Sequence, residues 1–194
     1  MNRPSHPSPW TPARRRDAAR GFSLIELLVT IAIAAIIAGV AAPSFSKMVN
    51  ANRIQTAASA LQSDMMYART EAVKRGLPVS ICPSTDQATC TTTNAWANGW
   101  IVFNDVNGSG TIDNAADTVL RVKQKLQGGA TIVAAPAPTQ NAIIFNREGF
   151  TTNLGTARVA FTLHTSDNLA SSTRCVLVTF GGSLSTVSKG STCS

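Results

Sequence analysis

Histidine and cysteine are few in this chain, and the common catalytic motifs are missing. Two histidines occur in 194 residues, and only His164 lies beyond the first twenty. No G-x-S-x-G, H-E-x-x-H or P-loop is present, so the usual sequence signs of a serine hydrolase, a zinc peptidase or a nucleotide-phosphate site are missing. Ser44-Phe45-Ser46-Lys47 fits the S-x-x-K pattern of some acyl-enzymes, but it stands alone at the end of an apolar run and reads as coincidence. No enzymatic role and no cofactor are expected. Cysteine is absent before position 82; the four present are Cys82, Cys90, Cys175 and Cys193. Four cysteines allow three pairings, and the spacings suggest two local loops, Cys82–Cys90 and Cys175–Cys193. Zinc is the rival reading, and it lacks both a C-x-x-C pair and a second available histidine. Disulfides would place the body of the chain in an oxidising compartment such as a periplasm.

Charge is present but unevenly placed. The whole chain carries +7, and residues 1–21 hold five arginines against the single Asp17, a net +4. The high pI is therefore largely a property of the first segment and argues little for a nucleic-acid partner. From Phe22 to Ala42 all residues are apolar or small except Ser23, Glu26 and Thr30. A helix of that length covers about 31 Å, one hydrocarbon core. Arginines precede it, so the positive-inside rule keeps the N-terminus cytoplasmic and exports the rest. Two ordinary readings compete. A secretory signal peptide would end in a small-residue site, and Ala38-Gly39-Val40-Ala41-Ala42 could serve, although the helical pattern runs on past it. A plain membrane anchor leaves Glu26 unexplained, and a carboxylate in a span costs about 2.5–3.5 kcal/mol on insertion scales.

Arg20-Gly21-Phe22-Ser23-Leu24-Ile25-Glu26 resembles the type IV prepilin processing motif. The resemblance implies cleavage between Gly21 and Phe22 by a prepilin peptidase, N-methylation of Phe22, and a glutamate fifth in the mature chain. Pro43 matches a helix-bending proline common in such stems. It also implies a role for Glu26: in a filament, its carboxylate faces the new amine of a neighbouring subunit, cancelling two charges that would each be costly alone among apolar helices.

Past Pro43 the pattern becomes amphipathic. Ile54, Ala58, Leu61, Met65, Ala68 and Ala72 fall on one helical face, with Arg53, Gln62, Asp64, Arg69, Glu71 and Lys74 off it. Gly76 and Pro78 then predict its end. One helix from Phe22 to Arg75 would span about 81 Å. Seven short β-branched segments follow, at 77–82, 99–105, 118–124, 130–135, 142–146, 157–164 and 174–180, separated by Gly, Asn, Asp, Ser and Thr clusters. The fold class is α+β. "SICPSTDQATC", "WANGWIVFNDVNGSGTID" and "RCVLV" ahead of a C-terminal cysteine are similar to the GspH/FimT family of minor pilins and pseudopilins. That resemblance implies a pilin-like architecture, a long N-terminal helix packed on an antiparallel sheet or sandwich. It divides the chain into a leader (1–21), a transmembrane or filament-core helix (22–42), an amphipathic helix (43–76) and a periplasmic β-rich domain (77–194).

Three further groups bear on function. Asp105, Asn107, Ser109 and Asp113 in "DVNGSGTID" follow half of an EF-hand loop, but Ala116 stands where the bidentate glutamate belongs. The alternative is a β-hairpin turning at Asn107-Gly108. Trp96, Trp100 and Phe103 could stack on bases, though Trp100, Val102 and Asn104 alternate against Ile101, Phe103 and Asp105 as in a sheet core. Some FimT-like pilins carry a G-R-x-R motif near the C-terminus for DNA uptake. Here that stretch reads "FGGSLSTVSKGSTCS", without arginine. A diffuse patch of Arg121, Lys123 and Lys125, with Lys189, is the remaining DNA candidate, and charges at alternate positions also mark solvated edge strands. The expected function is a structural subunit of a type IV pilus or a type II secretion filament, anchored in the inner membrane, with prepilin peptidase and other pilins as partners. The alternative is a pilus-tip subunit that binds DNA or another ligand.

Overall fold

The computed structural model describes residues 21–135, 141–155, 158–168, 170–188 and 193. The chain divides into two compact units, residues 1–43 and 44–194. One helix, α1 (Leu24–Arg75, 52 residues), contributes to both. In the first unit it is rich in Ala, Ile and Leu, with every described side chain from 21 to 42 exposed. It is long and apolar enough to cross a membrane, by length and composition.

Within the second unit α1 buries a stripe at 54, 57, 58, 61, 64, 65, 68, 71 and 72, the three- and four-residue spacing of one helical face. The end of α1 is set locally. Gly76 takes a positive φ of 67° and its N–H donates to the Ala72 carbonyl at 3.0 Å, the left-handed cap that a side chain would strain. Lys74 and Arg75 sit in the last turn, where the helix dipole favours cations.

Eight strands follow among the described residues: β1 (Val79–Pro83), β2 (Gly99–Asn104), β3 (Thr118–Gln124), β4 (Thr131–Ala135), β5 (Ile143–Phe145), β6 (Arg158–His164), β7 (Arg174–Thr179) and β8 (Leu184–Ser188). They form two four-stranded sheets, in the orders β3-β2-β1-β5 and β4-β6-β7-β8, with every pairing antiparallel. One core joins the helix stripe to both sheets: Ile54, Leu61 and Met65 meet Trp96, Trp100, Phe145, Phe161 and Val176. Trp96 packs edge-on against Phe161 at 4.9 Å between centroids, so an aromatic pair occupies this core.

The structure departs from the sequence expectations in four places. β8 is an additional strand; its Ser- and Thr-rich composition reads as loop, yet it pairs with β7 from Leu184 to Ser188. β2 is buried on both faces rather than one. Trp100 and Val102 enter the main core, while Ile101 and Phe103 join Cys82 and Ala142 in a second cluster, with Ile112 of the following loop packed against it. Asp64 and Glu71, expected off the buried face, lie on it. Asn107-Gly108 does not close a two-residue hairpin. β2 and β3 are antiparallel neighbours joined by residues 105–117, with the Gly108 N–H donating to the Asp105 carbonyl at 3.2 Å as the first turn of that loop.

Candidate processing and assembly site

The chain enters α1 through Gly21, Phe22 and Ser23, which are outside regular structure. Phe22 is 81% exposed. The Ser23 carbonyl accepts from the Leu27 N–H at 3.1 Å, which makes Ser23 the residue preceding the first turn and places Glu26 within that turn. A carboxylate there lies at the positive end of the helix dipole. Glu26 is exposed and has no ion-pair partner among the described residues. The helix continues through Pro43 without a break in its assignment.

On the buried half of the helix, one polar group organises its contact with the sheets. The Trp100 Nε1–H donates to Asp64 Oδ2 at 2.8 Å, and Arg121 Nη1 donates to Asp64 Oδ1 at 2.8 Å. The same guanidinium lies 3.9 Å from the ring centroid of Tyr67. Helix, β2 and β3 are thus joined through a single carboxylate. Sequence reasoning missed this role, although the spacing 57, 61, 64, 68 already places Asp64 on the apolar stripe. Glu71 is held by Arg75 and Lys74, and the hydrogen bond from Arg75 is the main cause that keeps its carboxyl below the usual range. Arg69 donates to the Gly149 carbonyl at 3.0 Å and reaches the Gly181 carbonyl at 3.4 Å, tying the helix to two loops. Gly182, with φ 68°, is required there, since a Cβ would fall 2.1 Å from the Gly149 oxygen.

The structure joins Cys82 to Cys90 and Cys175 to Cys193, with Cα separations of 5.6 and 5.7 Å. The first loop is further closed by Asp86, which accepts from Thr89 Oγ1 and from the N–H groups of Thr89 and Ala88. These donors hold the Asp86 carboxyl well below the ordinary aspartate range. The second bridge ties residue 193 to β7. Non-reducing peptide mapping should return these two pairs, and opening the Cys82–Cys90 loop by a double Cys→Ser change should cost about 2–4 kcal/mol. A Cys82–Cys175 peptide would show the pairing to be wrong.

The calcium candidates do come together, as a loop closed by its own donors. Asp105 is buried and accepts from Ser80 Oγ (2.6 Å), the Gly110 N–H (2.8 Å) and the Ser109 N–H (3.0 Å). Asn107 Nδ2 donates to Asp113 Oδ1 at 3.0 Å, and Asp117 caps the Val106, Asp113 and Asn114 N–H groups. Trp96, Trp100 and Phe103 are fully buried and offer no surface for stacking. Of the basic residues of the DNA candidate, Arg121 is committed to Asp64 and Tyr67, Lys123 is half-buried, Lys125 lies past the end of β3, and Lys189 falls outside the described residues.

The profile of type II transport protein GspH matches residues 57–182, most of the two-sheet body and the buried helix stripe. The chain belongs to the GspH family. A separate profile, the prokaryotic N-terminal methylation motif, matches residues 16–42. Type II secretion system protein H of Xanthomonas campestris pv. campestris is 34% identical over 73 residues, which are 38% of this chain and 43% of that protein. The match therefore spans under half the length of that curated relative. Among solved structures, the type IV minor pilin FimU of Pseudomonas aeruginosa superposes with a TM-score of 0.53 at 21% identity, over 69% of this chain and 87% of the other. The minor pseudopilin EpsH of the Vibrio cholerae type 2 secretion system aligns over 70% of this chain and 97% of its own, at 12% identity and a TM-score of 0.48. The likeness to FimU shows the pilin-like fold, a long N-terminal helix packed on antiparallel sheets. Family and apolar helix together suggest an inner-membrane-anchored, filament-associated protein of this GspH group.

Proposed function

We propose that this chain is a minor pilin or pseudopilin, a structural subunit of a type II secretion or type IV pilus filament. In this reading a prepilin peptidase cuts after Gly21 and Phe22 becomes the N-methylated terminus. Residues 22–42 hold the chain in the inner membrane with its start in the cytoplasm and residues 77–194 in the periplasm. Assembly then transfers the apolar helix from lipid to the company of other pilins.

One observation carries the reading: a cleavage motif opens directly onto a helix that is apolar and uncovered through residue 42, and amphipathic and packed from Ile54 onward. An uncovered apolar helix must find lipid or other helices. Two disulfides suit export to an oxidising compartment. Mass spectrometry of the membrane-extracted protein should find a chain that starts at methylated Phe22. An intact N-terminus, or a start after Ala42, would remove the basis for the proposal.

A further inference from the structure

We propose that a basic groove beside α1, built on Arg53, Lys123 and Lys125, docks on the anionic phosphate headgroups of the membrane in which the chain is anchored. The proposal rests on the anchoring reading above.

The groove, about 330 Å³, has Val49, Arg53 and Ala57 of the helix on one side and Lys123, Leu126 and Ala130 on the other. It adjoins a second depression of about 550 Å³, which shares Lys123 and Leu126 and adds Lys125. Three cations and no carboxylate line the two together. None of the three makes an ion pair among the described residues, whereas Arg75, Arg121 and Arg147 all do. The Arg53 guanidinium passes over Gly128, where a Cβ would fall 2.6 Å from Nη1; the glycine makes room for the cation to lie across the loop.

Cations rimming an apolar floor of Val49, Ala57 and Leu126 suit an interface in which headgroup phosphates lie beside acyl chains. Chain continuity points the same way. Val49 follows Ala42 by seven residues and Arg53 by eleven, so the helix side of the groove belongs to the stretch of chain that follows the segment read as the span. A nucleic acid is the poorer fit. It needs a line of phosphate contacts, and Arg121, which would extend the line along β3, is spent on Asp64. Trp96, Trp100 and Phe103 are buried and cannot stack on bases. Near an anionic surface each Lys or Arg contributes a factor of about five in affinity, and the effect fades beyond a Debye length of about 8 Å at physiological salt.

The test uses the full chain in lipid nanodiscs, one set phosphatidylcholine alone and the other with phosphatidylglycerol added. Hydrogen exchange is read across residues 122–127. Exchange there is expected to slow about five-fold or more in the anionic discs. The protection should disappear in 0.5 M salt (about, as a screening condition) and in the triple change Arg53→Gln, Lys123→Gln, Lys125→Gln. Arg158→Gln, an exposed cation away from the groove, should keep it. Each variant is compared with itself in the two lipids, and unchanged exchange in β2 reports that it folds. Equal exchange in both lipids, with the chain still held in the discs, overturns the docking proposal and leaves anchoring intact. Protection by a short DNA duplex but not by anionic lipid also overturns it, in favour of a nucleic-acid surface. A chain that leaves both discs overturns the anchoring reading and this proposal with it.

Discussion

Glu26→Ala is expected to leave residues 44–194 folded and the Gly21–Phe22 bond cut, while the chain fails to enter filaments or loses the accompanying methylation. Two possible roles for the carboxylate differ in size. At the first turn of α1 it interacts with the helix dipole, an effect of about 0.3–1 kcal/mol that falls off within that turn. Losing that much cannot melt a helix of 52 residues whose far half is packed in a core. A lone carboxylate among apolar helices costs about 2.5–3.5 kcal/mol, and pairing with a neighbour's N-terminal amine offsets the cost for both charges. On these magnitudes the proposed pairing outweighs the dipole effect, and it would act only in an assembled filament. Glu26→Gln should resemble alanine, because it keeps the shape and loses the charge. Glu26→Asp should be intermediate, keeping the charge with a shorter reach. Sheared-filament fractions probed for each variant report the outcome. Normal incorporation of both the Ala and Gln forms would mean that the carboxylate is no assembly device.

Asp64→Ala should destabilise the two-sheet body by about 2–4 kcal/mol. Most of that comes from the Trp100 N–H, which is fully buried and would be left without an acceptor, at about 1–3 kcal/mol. The ion pair adds less, because the Arg121 side chain is 41% exposed and solvent screens it, so about 1 kcal/mol or below. Asp64→Asn keeps an acceptor for the indole and should lose only about 1 kcal/mol. Arg121→Ala should be milder than Asp64→Ala, since Asp64 would still hold Trp100. Urea unfolding followed by tryptophan fluorescence reads all three. Equal losses for Asp64→Ala and Arg121→Ala would show that the ion pair, not the indole hydrogen bond, carries the energy.

Much of this protein is written locally and could be read locally. The processing motif is seven adjacent residues, 20–26, and the apolar run behind it needs no partner to be recognised. The helix stop at Gly76 depends on one φ angle and a proline two residues on. Cys82 and Cys90 are eight residues apart and Cys175 and Cys193 eighteen, so short loops favoured their pairing before any fold was known. Strand existence followed from β-branched runs, and seven of the eight strands were legible that way. The eighth, β8, was not. An edge strand with one face toward solvent can be built from Ser and Thr, and only its pairing with β7 reveals it.

What tertiary structure alone decided is which groups meet across long stretches of chain. Alternation says that β2 has two faces, but not that the 105–117 loop and the Cys82–Cys90 bridge would cover the outer one. A basic strand residue and an acidic helix residue both look solvated in sequence; Asp64 and Arg121, 57 positions apart, become partners only when β3 lies beside the helix. The same approach commits Arg121 to Asp64 and leaves Arg53, Lys123 and Lys125 around a groove free of carboxylates. Periodicity and motif are properties of neighbours along the chain, whereas burial and charge pairing depend on which distant segment arrives, and that is set by the packing of helix against sheets.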